Sequence, residues 1–271
     1  MVVMSTGQLK WIALVCMFID HIGEFIPQAP VWLRYIGRLA LPLFFYCSAW
    51  GFYYTHDKKK YLLHLYAFSV LMGTGNFFLS YFMNRGMGVY LLNNIFTTIF
   101  LGCCIVYLWE SAINWRVRIR YFLLYALYQI VAFFICVILT EPWRPWLMYE
   151  LHYTCGTIFG SCIFTEGGIL FVLYFICVYF LKEKKLLLSL FTCAFAGLLV
   201  FLDTRSWPPW GPVLYLFPFS GYQWLMVTVI PFYFLYNGTR GTYRKTFFYV
   251  FYPLHIWILF VMGYFIQNKA L

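Results

Sequence analysis

The sequence predicts an all-α, polytopic integral membrane protein with about nine transmembrane helices and a cytoplasmic N-terminus. Composition is the first observation: of 271 residues, 63% are apolar, 24% aromatic and only 10% charged, whereas soluble domains hold about 45–50% apolar and about 25% charged residues. Mean hydropathy is correspondingly high, at +0.76. A chain so short of charge cannot cover its own surface with solvated groups. Second, apolar runs of about 20 residues, each with a short loop, consume nearly the whole length. A single transmembrane domain over residues 1–271 is therefore expected. Third, most of the 19 basic residues, against 9 acidic ones, fall at the ends of the apolar runs or between them, as in cytoplasmic loops. That excludes a nucleic-acid-binding module.

The runs are 9–26, 31–54, 60–82, 88–110, 117–139, 157–181, 186–202, 212–236 and 246–266. Their length without alternation argues for helices rather than barrel strands, since lipid tolerates only closed hydrogen-bonding elements. The first run, Trp11–Ile19, passes into Asp20 and His21 instead of a small-residue cleavage site, so no cleavable signal peptide is expected. No internal repeat is visible. Lys10, Lys58–Lys60, Arg116, Arg118 and Arg120, Lys182, Lys184 and Lys185, and Arg240, Arg244 and Lys245 all fall on one side of this alternation. The other side keeps Arg34, Arg38, Arg85, Arg144, Arg205 and Lys269. The bias places the even-to-odd loops in the cytoplasm and the C-terminus outside. The sequon at Asn237 then faces the cytoplasm, where it carries no glycan. Two Trp/Pro-rich stretches, 141–146 with the following Glu150 and His152, and 206–212, are too polar to span. They suit an aromatic belt at the headgroups or a lid on the outer face.

The nine cysteines are scattered through apolar runs without a C-x-x-C pattern, as small buried hydrophobes rather than a disulfide framework or metal site. No metal is expected. Ionisable groups inside a membrane are costly and point to function. Asp20 and His21 lie about ten residues into the first helix, roughly 15 Å from its start. Arg38, His255, Asn76, Asn93, Asn94, Glu166 and Gln223 fall in the middle or outer half of other predicted spans, which suggests a shared polar cavity. Arg34 and His64 read as interfacial, and Gln129 as a helix–helix contact. Asp20 with Arg38 reads equally as a structural ion pair or as part of a site. His21 and His255 suit proton transfer in a semi-dry site. Adjacent helical residues point about 100° apart, so Asp20 and His21 cannot form a relay within the helix. One of them is expected to lock the helix to a neighbour.

Several blocks resemble the TraX family. They are Leu9-Lys10-Trp11-Ile12-Ala13 with Asp20-His21-Ile22-Gly23, the run Ile36–Phe44, Gly51-Phe52 with Lys58–Leu62, Asn94–Gly102, and Leu235–Gly241 with Tyr252-Pro253-Leu254-His255. Thr165-Glu166-Gly167-Gly168 stands where an Asp-Tyr-Gly-like block is expected, and His64 where Arg is expected. That family is known for N-terminal acetylation of conjugative pilin, and it is similar in turn to the type 3 membrane acyltransferases. These open with a basic residue and a His about eleven positions later, here Lys10 and His21. The resemblance implies acyl transfer, in the bacterial inner membrane, from cytoplasmic acetyl-CoA or another acyl-CoA to an outer acceptor: a pilin N-terminus, another envelope peptide or a glycan. His21 is then the base, Asp20 and Arg38 organise the site, and His255 lies close by. Lys58–Lys60, Arg240, Arg244 and Lys245, with Arg116–Arg120, are expected to rim the coenzyme's mouth. A transporter or proton-coupled carrier using the same polar residues is the alternative, and an assembly scaffold a third.

Overall fold

A computed structural model of the chain describes residues 3–83, 90–141, 148–204 and 222–269. Among them the regular structure is helical, apart from one isolated bridge between Met4 and Tyr236. The helices are α1 (Thr6–Phe25), α2 (Trp32–Gly37), α3 (Ala40–Tyr53), α4 (Lys58–Met83), α5 (Ile95–Ser111), α6 (Trp115–Thr140), α7 (Met148–Phe159), α8 (Gly168–Leu181) and α9 (Lys185–Thr204). A 3₁₀ segment (Gln223–Val229) leads into α10 (Ile230–Leu235), and α11 (Lys245–Lys269) follows. Two units result. One gathers the described residues within 1–51, 177–208 and 219–271, the other those within 52–176.

Among the described residues four helices are long and apolar enough to cross a bilayer: α4, α6, most of α9 and α11. They correspond to the predicted runs 60–82, 117–139, 186–202 and 246–266. Three other predicted spans are not continuous helices. The run 31–54 breaks at Arg38 and Leu39, because Pro42 has no N–H to give the Arg38 carbonyl and its ring would strike it. The run 157–181 breaks between α7 and α8, where Gly160, Gly167 and Gly168 take positive φ values of 63°, 75° and 60°, conformations costly for other residues. The run 88–110 becomes helical only at Ile95, so Asn93 and Asn94 precede the helix and Glu166 sits in a turn. In 212–236 the described part is the 3₁₀ segment and α10, while 212–221 lie outside the described residues. Among the described residues, four of the predicted spans are thus helices of membrane-crossing length and composition, and the interruptions fall at or beside polar residues the sequence had singled out. The stretch holding Glu150 and His152 is also helical, within α7, with both side chains buried. Residues 142–147 and 206–212 of the Trp/Pro-rich stretches lie outside the described residues, as do Arg85, Arg144 and Arg205.

Helix starts are locally encoded. Ser5 and Gln8 form a reciprocal capping box on α1, Asp57 accepts from Lys60 N at 2.9 Å on α4, and Asn114 accepts from Val117 N at 3.0 Å on α6. Lipid gives apolar helices little reason to prefer one another, so close packing and polar contacts hold them together. In the first unit α1 packs on α2 and α11, and α9 on the 3₁₀ segment and α10. In the second, α4 packs on α5 and α7, and α6 on α5 and α7.

In the first unit α1 and α11 lie side by side and point the same way. Trp11 meets Phe247 (ring centroids 5.2 Å apart), Phe18 meets Phe251 (6.2 Å) and His21 meets His255 (5.0 Å). At one end of this unit Lys185 Nζ donates to Tyr236 O at 2.9 Å, and the start of α1 takes up the chain after α10 through Asn237 N to Met4 O (3.0 Å) and Gly7 N to Arg240 O (3.0 Å). Lys10, the Lys182–Lys185 turn and the Arg240–Lys245 segment therefore share an end. In the second unit the start of α4 and the end of α5 meet through a Lys58–Glu110 ion pair, and Arg118 lies over the Trp109 ring, 4.6 Å from its centroid.

Candidate active site

Asp20 and His21 face opposite partners, as their 100° offset requires. Asp20 faces α2 and the α2–α3 break. Arg38 Nη2 donates to Asp20 Oδ1 at 2.6 Å and to Oδ2 at 2.7 Å, and Arg34 Nη1 lies 3.1 Å from Oδ2. Arg34 Nη1 also donates to Glu24 Oε2 at 2.7 Å. Two carboxylates thus face two guanidiniums. The break presents Arg38 here: its Nε donates to Arg34 O at 3.1 Å and its Nη1 to Gln223 Oε1 at 2.8 Å. Gln223 Nε2 is buried with no hydrogen-bond partner. Arg34, expected at an interface, belongs instead to this cluster. Glu24 escaped the sequence reading, although it lies four residues from Asp20 on the same helix stripe. Asp20, His21 and Glu24 lie close enough together to hold a cation, but Arg34 and Arg38 already balance the two carboxylates.

Gly37 sets the α1–α2 approach, since a Cβ there would overlap the Asp20 side chain. Gly37→Ala is therefore expected to push Asp20 off Arg38. Overpacking of this kind costs about 1–3 kcal/mol, and a lowered melting temperature in detergent, with loss of activity, would show it; an unchanged melt would mean the helices can part freely.

His21 faces α11. Its Nδ1 lies 2.7 Å from His255 Nε2, and His255 Nδ1 lies 2.8 Å from the Phe251 carbonyl oxygen. Both residues are buried. These distances assign the neutral tautomers. A carbonyl only accepts, so His255 carries its proton on Nδ1 and accepts at Nε2. His21 must then donate from Nδ1, which leaves the lone pair on its Nε2. Phe251 stacks on His255, centroids 4.8 Å apart and planes 12° apart, holding the ring. Glu24 Oε2 is 3.9 Å from His21 Nε2.

The other polar candidates form a knot in the second unit. Glu166 Oε2 accepts from Asn94 N at 2.6 Å, a carboxylate at the start of α5 where the helix dipole favours negative charge. Asn94 Nδ2 donates to Ser69 O at 2.9 Å, and Asn76 Nδ2 to Asn93 O at 2.9 Å. Thr98 Oγ1 donates to Glu166 O at 2.8 Å. Gln129, read as a helix–helix contact, instead clamps the turn after α7: Nε2 donates to Gly160 O at 2.9 Å and Oε1 accepts from Cys162 N at 2.8 Å. His64 is exposed on α4 and bonds the Lys60 carbonyl at 2.6 Å. The predicted polar residues are thus gathered in two groups, one within each unit. Of the predicted coenzyme ligands, Arg240 and Arg244 line a pocket in the first unit, Lys245 begins α11, and Lys58–Lys60 begin α4, with Lys58 paired to Glu110.

A buried, hydrogen-bonded imidazole pair beside a balanced ionic cluster, in a chain with four helices of membrane-crossing length and composition, marks a multi-pass membrane protein with a preorganised polar centre. The sequence profile of the TraX protein family matches residues 5–263, and the chain belongs to that family. It is similar to an uncharacterized protein of Rickettsia prowazekii, RP591, with 31% identity over 106 residues, 39% of this chain and 38% of the relative. It is also similar to a probable fimbrial assembly protein, FimC of serogroup H1, from Dichelobacter nodosus, with 37% identity over 71 residues, 25% of this chain and 29% of the relative. The chain thus aligns with under two fifths of either relative's length. No solved structure matches it.

Proposed function

We propose that the protein is an inner-membrane acyltransferase that moves an acetyl or similar group from acyl-CoA to an amine or hydroxyl on an envelope acceptor. The observation that carries this reading is the Phe251–His255–His21 chain, which presents an unprotonated imidazole nitrogen in a buried setting. Membership of the TraX family supports it, and the fimbrial relative's name favours a pilin-like peptide among acceptors. In the step proposed, the acceptor nitrogen or oxygen attacks the thioester carbonyl while His21 Nε2 takes its proton. The tetrahedral intermediate then collapses, the C–S bond breaks, and the thiolate recovers the proton from His21. His255 is a positioning residue that fixes the His21 tautomer; Asp20 and Arg38 hold α1 against α2. Gln223 Nε2 is a candidate donor to the developing oxyanion, a role worth several kcal/mol where water is scarce.

Mass spectrometry of envelope peptides and glycans from cells with and without the protein tests the reading. An acyl-sized mass present only with the wild-type protein is expected, and identical spectra would count against it. His255→Ala should lower transfer, and His255→Asn should recover part of it, because the amide oxygen can accept from His21 Nδ1. A purely packing role for His255 would give the two variants the same rate.

The interrupted helices favour a second reading, a carrier, since transporters often build their sites at such breaks. Acyl-CoA separates the two: a thermal shift on adding it supports the enzyme, and none supports the carrier.

A further inference from the structure

The first unit has an open surface pocket of about 650 Å³ lined by Trp11, Arg240, Tyr243, Arg244 and Phe247, with Gly241 and Thr242; most of these residues are exposed. That volume lies within the range of about 300–1,000 Å³ usual for small-ligand sites. The pocket is a constructed feature. Its loop is tied to the start of α1 by Thr6 N to Thr239 O (2.9 Å) and Gly7 N to Arg240 O (3.0 Å). Gly241 takes a φ of +65°, and a Cβ there would overlap Ser5. Lys10 Nζ donates to the Tyr243 hydroxyl at 3.2 Å and sits 4.3 Å from the centre of its ring, fixing that wall. Two arginines and three aromatic residues share the lining, with Arg240 over the Tyr243 ring, 5.7 Å from its centroid; that chemistry takes a phosphorylated, planar-ring ligand, since guanidinium forks suit phosphate oxygens and flat side chains suit a nucleobase.

The pocket also has an axis. Trp11 and Phe247 stand at one end of the α1–α11 seam, and His21 and His255 stand ten and eight residues further along the two helices, about 15 Å and 12 Å by helix rise. We infer that this pocket seats the 3′-phosphoadenosine end of the acyl donor, with the flexible arm running along the α1–α11 seam towards His21. The inference rests on the acyl-transfer reading for the donor's identity, but binding at the pocket needs no chemistry at His21. Among the basic clusters, it selects Arg240 and Arg244 over Lys58–Lys60 and Arg116–Arg120.

The test titrates adenosine 3′,5′-bisphosphate, which has no thioester, into the full-length protein in phosphatidylcholine nanodiscs. Saturable binding is expected. Arg240→Gln and Arg244→Gln should each weaken it about tenfold, the scale of one charge-assisted phosphate contact, and Trp11→Leu should weaken it comparably. Lys59→Gln and Arg116→Gln should leave it unchanged. Unliganded melting curves identify any variant that has lost its fold. A lipid phosphate could occupy the same guanidiniums, so a parallel titration replaces the nucleotide with phosphatidylglycerol in the nanodisc. Absence of saturable nucleotide binding, binding that survives the double Arg240→Gln/Arg244→Gln substitution in a folded protein, or stabilisation by phosphatidylglycerol alone would each overturn the inference. Saturable binding that depends on both arginines, in a protein that transfers no acyl group, would uphold the pocket and remove the acyl-transfer reading instead.

Discussion

Replacing His21 with alanine is expected to lower acyl transfer by about 10²–10⁴-fold, the usual loss on removing a positioned base, while the protein still inserts and folds. The structure explains why the loss should be specific. His21 Nδ1 bonds His255 Nε2 at 2.7 Å and lies on the side of α1 away from the Asp20 ion pairs. Its removal therefore leaves the α1–α2 contacts in place. The pocket at Trp11, Arg240 and Arg244 should also keep whatever affinity it has for adenosine 3′,5′-bisphosphate in His21→Ala. A variant with normal melting and near wild-type transfer would show that His21 only packs, and a larger loss in His255→Ala would make His255 the base. Steady-state rates of both variants with one acyl-CoA and one acceptor decide the order.

Asp20→Asn is expected to act on the fold rather than the chemistry. The neutral amide leaves Glu24 as the one carboxylate for two guanidiniums in a largely buried cluster, and breaking a buried pair costs about 3–5 kcal/mol. Yield and melting temperature should both fall. Arg38→Leu should do the same from the other side. Asp20→Leu with Arg38→Leu should be milder than the sum of the single changes, because the double variant buries no unmatched charge in that pair. Additive losses would mean that the pair contributes no coupling. Glu24 gives a further comparison: its partner Arg34 also contacts Asp20, so Glu24→Gln should weaken the same cluster to a smaller degree.

The sequence made the helical class legible through composition, and the four continuous helices through their apolar length. The offset between Asp20 and His21 was also readable, because helical geometry forbids adjacent residues a common partner, and the two do part company towards Arg38 and His255. What escaped was the interruption of three other spans. An apolar run does not reveal that Pro42 denies the Arg38 carbonyl a helical bond, nor that Gly160, Gly167 and Gly168 turn the chain between α7 and α8. Both signals stood in the sequence, masked by hydrophobicity on either side. Glu166 looked like an intramembrane acid; it caps α5, a role that depends on a turn meeting a helix start distant in sequence. Glu24 was passed over and Arg34 was read as interfacial, and only the fold of α2 back onto α1 makes them partners. The His21–His255 pair joins residues 234 positions apart, and no local pattern announces such a distance.

The central claim is that this centre transfers an acyl group from acyl-CoA through His21. It is tested most directly by reconstituting the wild-type protein and His21→Ala in nanodiscs, adding isotope-labelled acetyl-CoA and an envelope peptide and glycan fraction, and following label in the acceptor by mass spectrometry. The account predicts label in a discrete acceptor with the wild type, and about 10²-fold less or lower with His21→Ala. Equal labelling by the two proteins, or none with a wild type shown to bind acetyl-CoA, would contradict it.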